Sequence, residues 1–171
     1  MVSRRQLLVS GISVAALAAV GFRLGVGGAR SEDSGETFEV TKTDAEWKAQ
    51  LSPESYSVLR HEDTERPFTS ELLEEHRKGV FACAGCDLPV FESDKKFDSG
   101  TGWPSFWDEI KGNVAYKTDR SLLMARTEEH CRRCGGHLGH VFDDGPAPTG
   151  KRHCINGVSL VFHPAADQTT G

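Results

Sequence analysis

Cys154 lies in the run Lys151-Arg152-His153-Cys154-Ile155-Asn156, where two cationic residues and a histidine precede the thiol. Such neighbours favour the thiolate, the form of cysteine that attacks electrophiles. The same run is compatible with an inert thiol on a strand, because free cysteine is among the most buried residue types. Two other segments supply what a reactive thiol would use. His137-Leu138-Gly139-His140 carries two imidazoles three residues apart, able to exchange protons near neutral pH. Trp103 and Trp107 flank Pro104 in a glycine-rich loop, where they form either a core plug or the wall of an apolar pocket. Together these are a nucleophile, proton donors and an apolar cage.

The remaining four cysteines are paired by spacing, Cys83-x-x-Cys86 and Cys131-x-x-Cys134, with 44 residues between the pairs. Four thiolates around one tetrahedral Zn2+ leave no open coordination position, which makes such a site structural rather than catalytic. Two disulfides are the alternative in an oxidising compartment. A redox-active Cys-x-x-Cys pair is a third reading, which the presence of two copies disfavours. The doubled knuckle spacing favours a single zinc ion stapling together two hairpins that are remote in sequence.

Several elements must hold these residues. Thr43 with Glu46 three residues on is a capping box that opens a helix through Trp47 to Leu51. Ser52 before Pro53 starts a second helix reaching about Leu59, and Ser70 caps a third that Gly79 stops. After Gly79 the pattern changes to short apolar runs, Val80-Phe81, Pro89-Val90-Phe91, Val114-Ala115-Tyr116, Leu122-Leu123-Met124, Val141-Phe142 and Val158 to Phe162, separated by glycine-rich turns. That is the pattern of a small antiparallel β domain. The chain of 171 residues is about one domain long. Its hydrophobic content of 37% can build a core, so a disordered acidic chain is excluded. No Gly-rich phosphate loop is present and no organic cofactor is expected. With 20 basic against 25 acidic residues and no basic stripe, nucleic acid is not an expected partner.

The first 29 residues read differently. Arg4-Arg5 precede an apolar stretch from Leu7 to Phe22, and Gly27-Gly28-Ala29 offer small residues for a signal peptidase. The stretch is short for a spanning helix. The adjacent arginines resemble a twin-arginine export signal; an uncleaved N-terminal anchor is the alternative. The expected organisation is a signal at 1–29, a polar linker at 30–40, a catalytic domain at 41–164 and a tail at 165–171. Removing 1–29 takes away three arginines and no acid, leaving 17 basic and 25 acidic residues and all five cysteines. An exported, periplasmic protein is expected, without a stable membrane anchor and monomeric. Twin-arginine export moves folded proteins, so zinc could be loaded before the thiols meet an oxidant.

The phrases GTGWPSF (100–106), HLGHVF (137–142), DGP (144–146) and RHCIN (152–156), together with the two knuckles, resemble the methionine-R-sulfoxide reductase family, B class. The segments TERPFT (64–69) and KFDSG (96–100) resemble it too, and the likeness runs from about Trp47 to Phe162. The resemblance implies a mainly β fold of two antiparallel sheets with short peripheral N-terminal helices, and a structural zinc on Cys83, Cys86, Cys131 and Cys134. It implies Cys154 as nucleophile, with His137, His140 and Asn156 shaping its surroundings and handling protons. Trp103 matches the ring that contacts the substrate methyl group, and Asp144 and Arg152 match supporting positions. The implied reaction reduces methionine-R-sulfoxide, mainly protein-bound, through a cysteine sulfenic acid. Residue types and reaction agree: a sulfoxide sulfur becomes electrophilic once its oxygen is protonated, and a histidinium can supply that proton.

Two departures stand out. Many family members carry a resolving cysteine where this chain has Thr101, and every other cysteine here belongs to a knuckle. An external dithiol, thioredoxin-like, is therefore expected as reductant. His153 stands where tyrosine is usual, and an imidazole beside the nucleophile would alter its pKa. Asp87 and Gly135 depart around the knuckles at positions that look tolerant. Two other classes compete: a zinc-stapled binding module, which has no need of a reactive thiol opposite two imidazoles, and a Cys-His hydrolase, which would want an oxyanion hole that no motif supplies.

Overall fold

A computed structural model describes residues 36–122 and 124–166. The expected signal at 1–29, the first part of the linker and most of the tail lie outside the described residues. Among the described residues, no helix is long and apolar enough to cross a membrane.

Two short helices come first. Thr43 caps α1 (Asp44–Gln50) with both hydrogen bonds of the capping box in place. Ser52 caps α2 (Pro53–His61), which runs two residues beyond the expected Leu59 and ends at Glu62 in the left-handed region. The third expected helix is a 3₁₀ turn, Glu71–Glu74, capped by Ser70. The chain leaves the helical path after one turn because Glu75 is extended and its carboxylate accepts the Arg77 backbone N–H at 2.9 Å.

Nine strands follow: β1 (Gly79–Cys83), β2 (Pro89–Glu92), β3 (Lys96–Phe97), β4 (Ser105–Phe106), β5 (Val114–Leu122), β6 (Met124–Cys131), β7 (His137–Phe142), β8 (Arg152–Ile155) and β9 (Leu160–Pro164). They form a three-stranded sheet in the order β2-β1-β9 and a six-stranded sheet in the order β3-β4-β8-β7-β6-β5. All pairs are antiparallel. This is the mainly β, two-sheet architecture with peripheral helices that the sequence implied. Val158 and Ser159 belong to a 3₁₀ turn before β9, because the chain leaves the large sheet just after β8 and must turn to reach the small one. Leu122 and Met124 pair at the tip of the β5–β6 hairpin.

The two sheets share one apolar core. Phe91 and Phe106 stack at 4.4 Å between ring centroids, and Phe81 meets Phe106 edge-on at 5.0 Å. Leu138 and Ile155 reach the same cluster from β7 and β8. At one end of the core the helices cover the knuckles. Buried Trp47 of α1 lies beneath the Arg60 guanidinium of α2, 4.9 Å away. Gln50 donates to the Gly85 carbonyl of the first knuckle at 2.8 Å, and Arg60 donates to the Cys134 carbonyl of the second at 3.0 Å.

Candidate active site and metal centre

The knuckles are built alike. Cys83 ends β1 and Cys131 ends β6, and each chain then turns so that the residue after the second cysteine donates back to the first. Asp87 donates to the Cys83 carbonyl and Gly135 to the Cys131 carbonyl, both at 2.8 Å. Both turn residues have positive φ, 58° at Asp87 and 67° at Gly135. Glycine adopts that region freely and aspartate is among the side chains that tolerate it. The knuckle departures Asp87 and Gly135 are thus conformationally equivalent.

The four sulfurs lie within 4.8 Å of one another, with Cys83 to Cys134 at 3.7 Å and Cys86 to Cys131 at 3.4 Å. A disulfide needs about 2.05 Å, whereas tetrahedral Zn–S bonds of about 2.3 Å place sulfurs about 3.8 Å apart. The spacing is that of ligands around one ion, and all five cysteines are free thiols. Hydrogen bonding among the four sulfurs pushes the Cys83 and Cys134 thiols up and draws Cys86 and Cys131 down. Cys83, Cys86, Cys131 and Cys134 therefore hold the structural zinc, joining the β1–β2 hairpin of the small sheet to the β6–β7 hairpin of the large one. The ion's contribution is structural cross-linking.

Cys154 sits mid-sheet on β8, with Ser105 of β4 opposite on one side and His140 of β7 on the other. Its half-buried thiol borders an open pocket of about 120 Å³, lined also by Thr64, Trp103, Arg126, His140, Phe142 and Asn156. Burial pushes the Cys154 thiol up, while the Thr101 hydroxyl, 3.9 Å from the sulfur, and the Arg152 guanidinium pull it part of the way back. Arg152 is itself fixed by two hydrogen bonds to the Asp144 carboxylate, at 2.8 and 2.9 Å, and lies 4.5 Å over the Phe142 ring. The two expected supporting residues form one clamp beside the thiol.

Residues three apart on a regular strand point to opposite faces, yet His137 and His140 lie with ring centroids 5.5 Å apart. The register explains this. His130 pairs with His137 and Glu129 with Gly139, so β7 carries one extra residue against β6. That bulge at Leu138 turns both imidazoles to the same side.

Their partners differ. His140 holds Asp119 through Nε2 at 2.8 Å, and Arg126 holds the same carboxylate at 2.5 Å. Hydrogen bonds from Ser121, His140 and Arg126 keep Asp119 well below the usual carboxylate range. An ionised Asp119 accepts from Nε2–H, which leaves Nδ1 of His140 to exchange a second proton. Burial lowers His140, and the hydrogen bond to Asp119 opposes this. His137 is buried behind it, with Nδ1 2.6 Å from one oxygen of Glu128; His130 Nδ1 lies 2.9 Å from the other oxygen. Burial alone would raise Glu128, but the hydrogen bonds from His130 and His137 outweigh it and hold the acid at about 2.

Asn156 and Trp103 are positioned by one loop. Glu65 donates its backbone N–H to the Asn156 side-chain oxygen at 2.9 Å, and its carbonyl accepts from the Trp103 indole at 3.0 Å. The Asn156 amide donates to the Leu138 carbonyl at 3.0 Å, inside the bulge. The Glu65 carboxylate, buried, accepts from the Gly157 N–H at 2.6 Å.

His153 does not lie beside the thiol. Successive strand residues alternate faces, and His153 points into the core, with Nδ1 2.5 Å from the buried Glu129 and its ring 5.6 Å from Phe91. Trp107 does not line the pocket either; Lys95 lies 4.6 Å over its ring. Sequence reasoning does not find Asp119, Arg126 or Glu128, and it gives no role to Glu65 although the TERPFT segment contains it. No local signal marks them, since each is an ordinary charged residue whose partner lies on another element.

A two-sheet β fold riveted by a four-cysteine zinc site, with a lone thiol facing histidine and tryptophan, defines the class. The SelR domain model matches residues 51–164. Over 124 residues the chain is 56% identical to peptide methionine sulfoxide reductase MsrB of Thiobacillus denitrificans, covering 72% of this chain and 94% of the relative. It is 58% identical over 124 residues to the protein of the same name from Methanosarcina barkeri, covering 72% and 87%. The Agrobacterium fabrum protein of that name is 54% identical over 127 residues, covering 74% and 94%. The chain belongs to the MsrB family of peptide methionine sulfoxide reductases and is an oxidoreductase of that type.

Proposed function

We propose that the chain reduces methionine-R-sulfoxide, mainly within proteins, to methionine, with Cys154 as the nucleophile. The observation that carries this reading is the pocket itself. A half-buried thiol lies between an apolar wall, Trp103 and Phe142, and a proton-bearing side, His140 with Asp119 and Arg126. A sulfoxide epimer seated with its methyl group on the apolar wall presents its oxygen to His140 and its sulfur to Cys154. The opposite epimer would reverse methyl and oxygen, and each epimer requires its own reductase.

The thiolate of Cys154 forms an S–S bond to the sulfoxide sulfur as His140 protonates the oxygen, and His137, anchored on Glu128, packs against the His140 ring from behind. The oxygen then passes to the Cys154 sulfur as methionine leaves, giving the sulfenic acid. An external dithiol completes the cycle. Its first thiol displaces water from the sulfenic acid to form a mixed disulfide, and its second releases Cys154 as thiolate. Thr101, standing 3.9 Å from the thiol where a resolving cysteine is common, supports the need for an outside reductant. We assign this role to a thioredoxin-like dithiol and the enzyme's place to the periplasm. The twin-arginine-type segment at residues 1–29 supports repair of exported proteins.

The test is turnover of a mixed-epimer methionine sulfoxide peptide by residues 30–171 with a chemical dithiol, followed by chiral separation. Loss of the R epimer alone, abolished by Cys154→Ser, is the expected result; consumption of neither epimer by folded, zinc-loaded protein overturns the reading. For location, a reporter fused behind residues 1–35 should leave the cytoplasm, and should stay inside when Arg4 and Arg5 are both changed to Lys.

A further inference from the structure

Phe68 is the most conspicuous side chain the proposed reaction leaves unused. It is 71% exposed, as bare as any large apolar residue among those described. Its backbone lies at φ 62°, a region that bulky side chains rarely occupy. Strain of this kind persists only where the surroundings over-determine it, and it concentrates at functional sites. The surroundings are clear here. Phe68 N–H donates to the Gly102 carbonyl at 2.8 Å. A Cβ at Gly102 would sit 2.9 Å from Phe68 N and from two of its ring atoms, so the glycine leaves the space the ring needs. Gly102 itself has φ 90°.

This pair of positive-φ residues adjoins the pocket wall. Gly102 is flanked by Thr101, 3.9 Å from the Cys154 sulfur, and by Trp103 on the pocket wall. The segment carrying Phe68 begins at Thr64, another wall residue, and is tied down by Glu65 to both Asn156 and Trp103. A pocket of about 120 Å³ has room for the oxidised side chain only. The polypeptide carrying it must run across the rim.

We propose that Phe68 is a specificity-determining residue of the rim, seating an apolar side chain next to the oxidised methionine of an extended polypeptide substrate. The proposal rests on the reading of the pocket as a methionine sulfoxide site and adds the chemistry of the flanking residue. An exposed aromatic ring fixed on a rigid backbone gains contact area without losing much rotamer freedom. The strained turn keeps the ring facing solvent beside the opening instead of folded into the core.

The experiment measures kcat/KM for three R-sulfoxide substrates: N-acetyl-methionine sulfoxide amide, a short peptide with leucine on both sides of the oxidised residue, and the same peptide with aspartate there. Wild type should prefer the leucine peptide. In Phe68→Ala the ratio of the leucine peptide to the single-residue substrate should fall about tenfold, through KM, as expected for loss of an aromatic anchor. Phe68→Leu should restore most of it. If the ratio stays at its wild-type value, including when both rates fall together, Phe68 merely shapes the loop and the proposal is overturned. No preference between the two peptides in the wild type overturns it as well. Failure of the wild type on all three substrates would instead refute the reading of the pocket. Melting temperatures of both variants confirm that folded proteins are compared.

Discussion

Gly139 packs so closely against the strand of Cys154 that a Cβ at position 139 would stand 2.0 Å from the Cys154 carbonyl oxygen. The glycine in His137-Leu138-Gly139-His140 lets the strand bearing the histidines pack against the strand bearing Cys154. Gly139→Ala must push these strands apart, moving His140 away from Cys154. A loss of about 2 kcal/mol in stability is expected, with a fall in kcat of about a hundredfold. Thermal melts and steady-state kinetics check both.

Thr101→Cys places a second thiol where the hydroxyl lies 3.9 Å from Cys154, within the reach of a small loop movement to disulfide distance. After one turnover without reductant, this variant should lose two titratable thiols, and mass spectrometry should show Cys154 linked to the introduced thiol. The wild type should lose one thiol and react with a sulfenic-acid probe. An intramolecular disulfide to Cys154 in the wild type would refute the external-reductant step.

Arg152 draws the Cys154 thiol down against the effect of burial. In Arg152→Met that pull is gone, the thiol pKa rises further, and the thiolate fraction at pH 8 shrinks. Iodoacetamide should label Cys154 about threefold to tenfold more slowly at that pH, a pKa rise of one unit being worth about a factor of ten. The rate-against-pH curve should move to the alkaline side.

Glu128 joins His130 and His137, and its folded pKa of about 2 lies below its ordinary value. Its stabilisation is therefore present above about pH 4.3 and lost as pH falls through about 2. Burial pulls His130 down, but the hydrogen bond to Glu128 outweighs it and leaves the imidazole raised. Its share is present below about pH 6.5 and lost as pH rises through the folded value. Glu128→Gln should cost about 3 kcal/mol near pH 5, as for breaking a buried pair, and should flatten the melting temperature across both flanks. Melts from pH 2 to pH 8 test this.

Metal analysis should give one zinc per chain. Cys83→Ser, or prolonged treatment with a strong chelator, should lower the melting temperature by more than about 10 °C, because metal binding is folding free energy here. Loss of zinc without loss of stability would contradict the staple.

Where the chemistry is written as neighbouring residues, the sequence is readable. The Thr43 and Ser52 caps, both knuckles and the Arg152–Asn156 run fall where their local patterns put them. What stays hidden depends on register. Glu128 and Glu129 are adjacent acids on β6, both buried, and alternation sends one to His137 and the other to His153. Nothing in Thr127-Glu128-Glu129-His130 distinguishes that from a solvated edge. The two-residue strands β3 and β4 are too short to show any period. His153 misleads because adjacency in sequence is opposition across a strand.

The knuckles bind hairpins together with sulfur in a molecule whose proposed reaction oxidises another sulfur, that of Cys154. Cys83, Cys131 and Cys134 are shielded, whereas Cys86 and Cys154 are partly open to solvent. A peroxide molecule therefore meets two sulfurs with opposite fates. At Cys154 the product is the intermediate of the proposed cycle, which a dithiol would reduce. At Cys86 oxidation loosens a rivet, and no neighbouring reductant is built in to reset it. On the proposed mechanism, oxidants should end the enzyme's working life through corrosion of one fastening before wear at its cutting edge, with zinc released ahead of any lasting loss at Cys154.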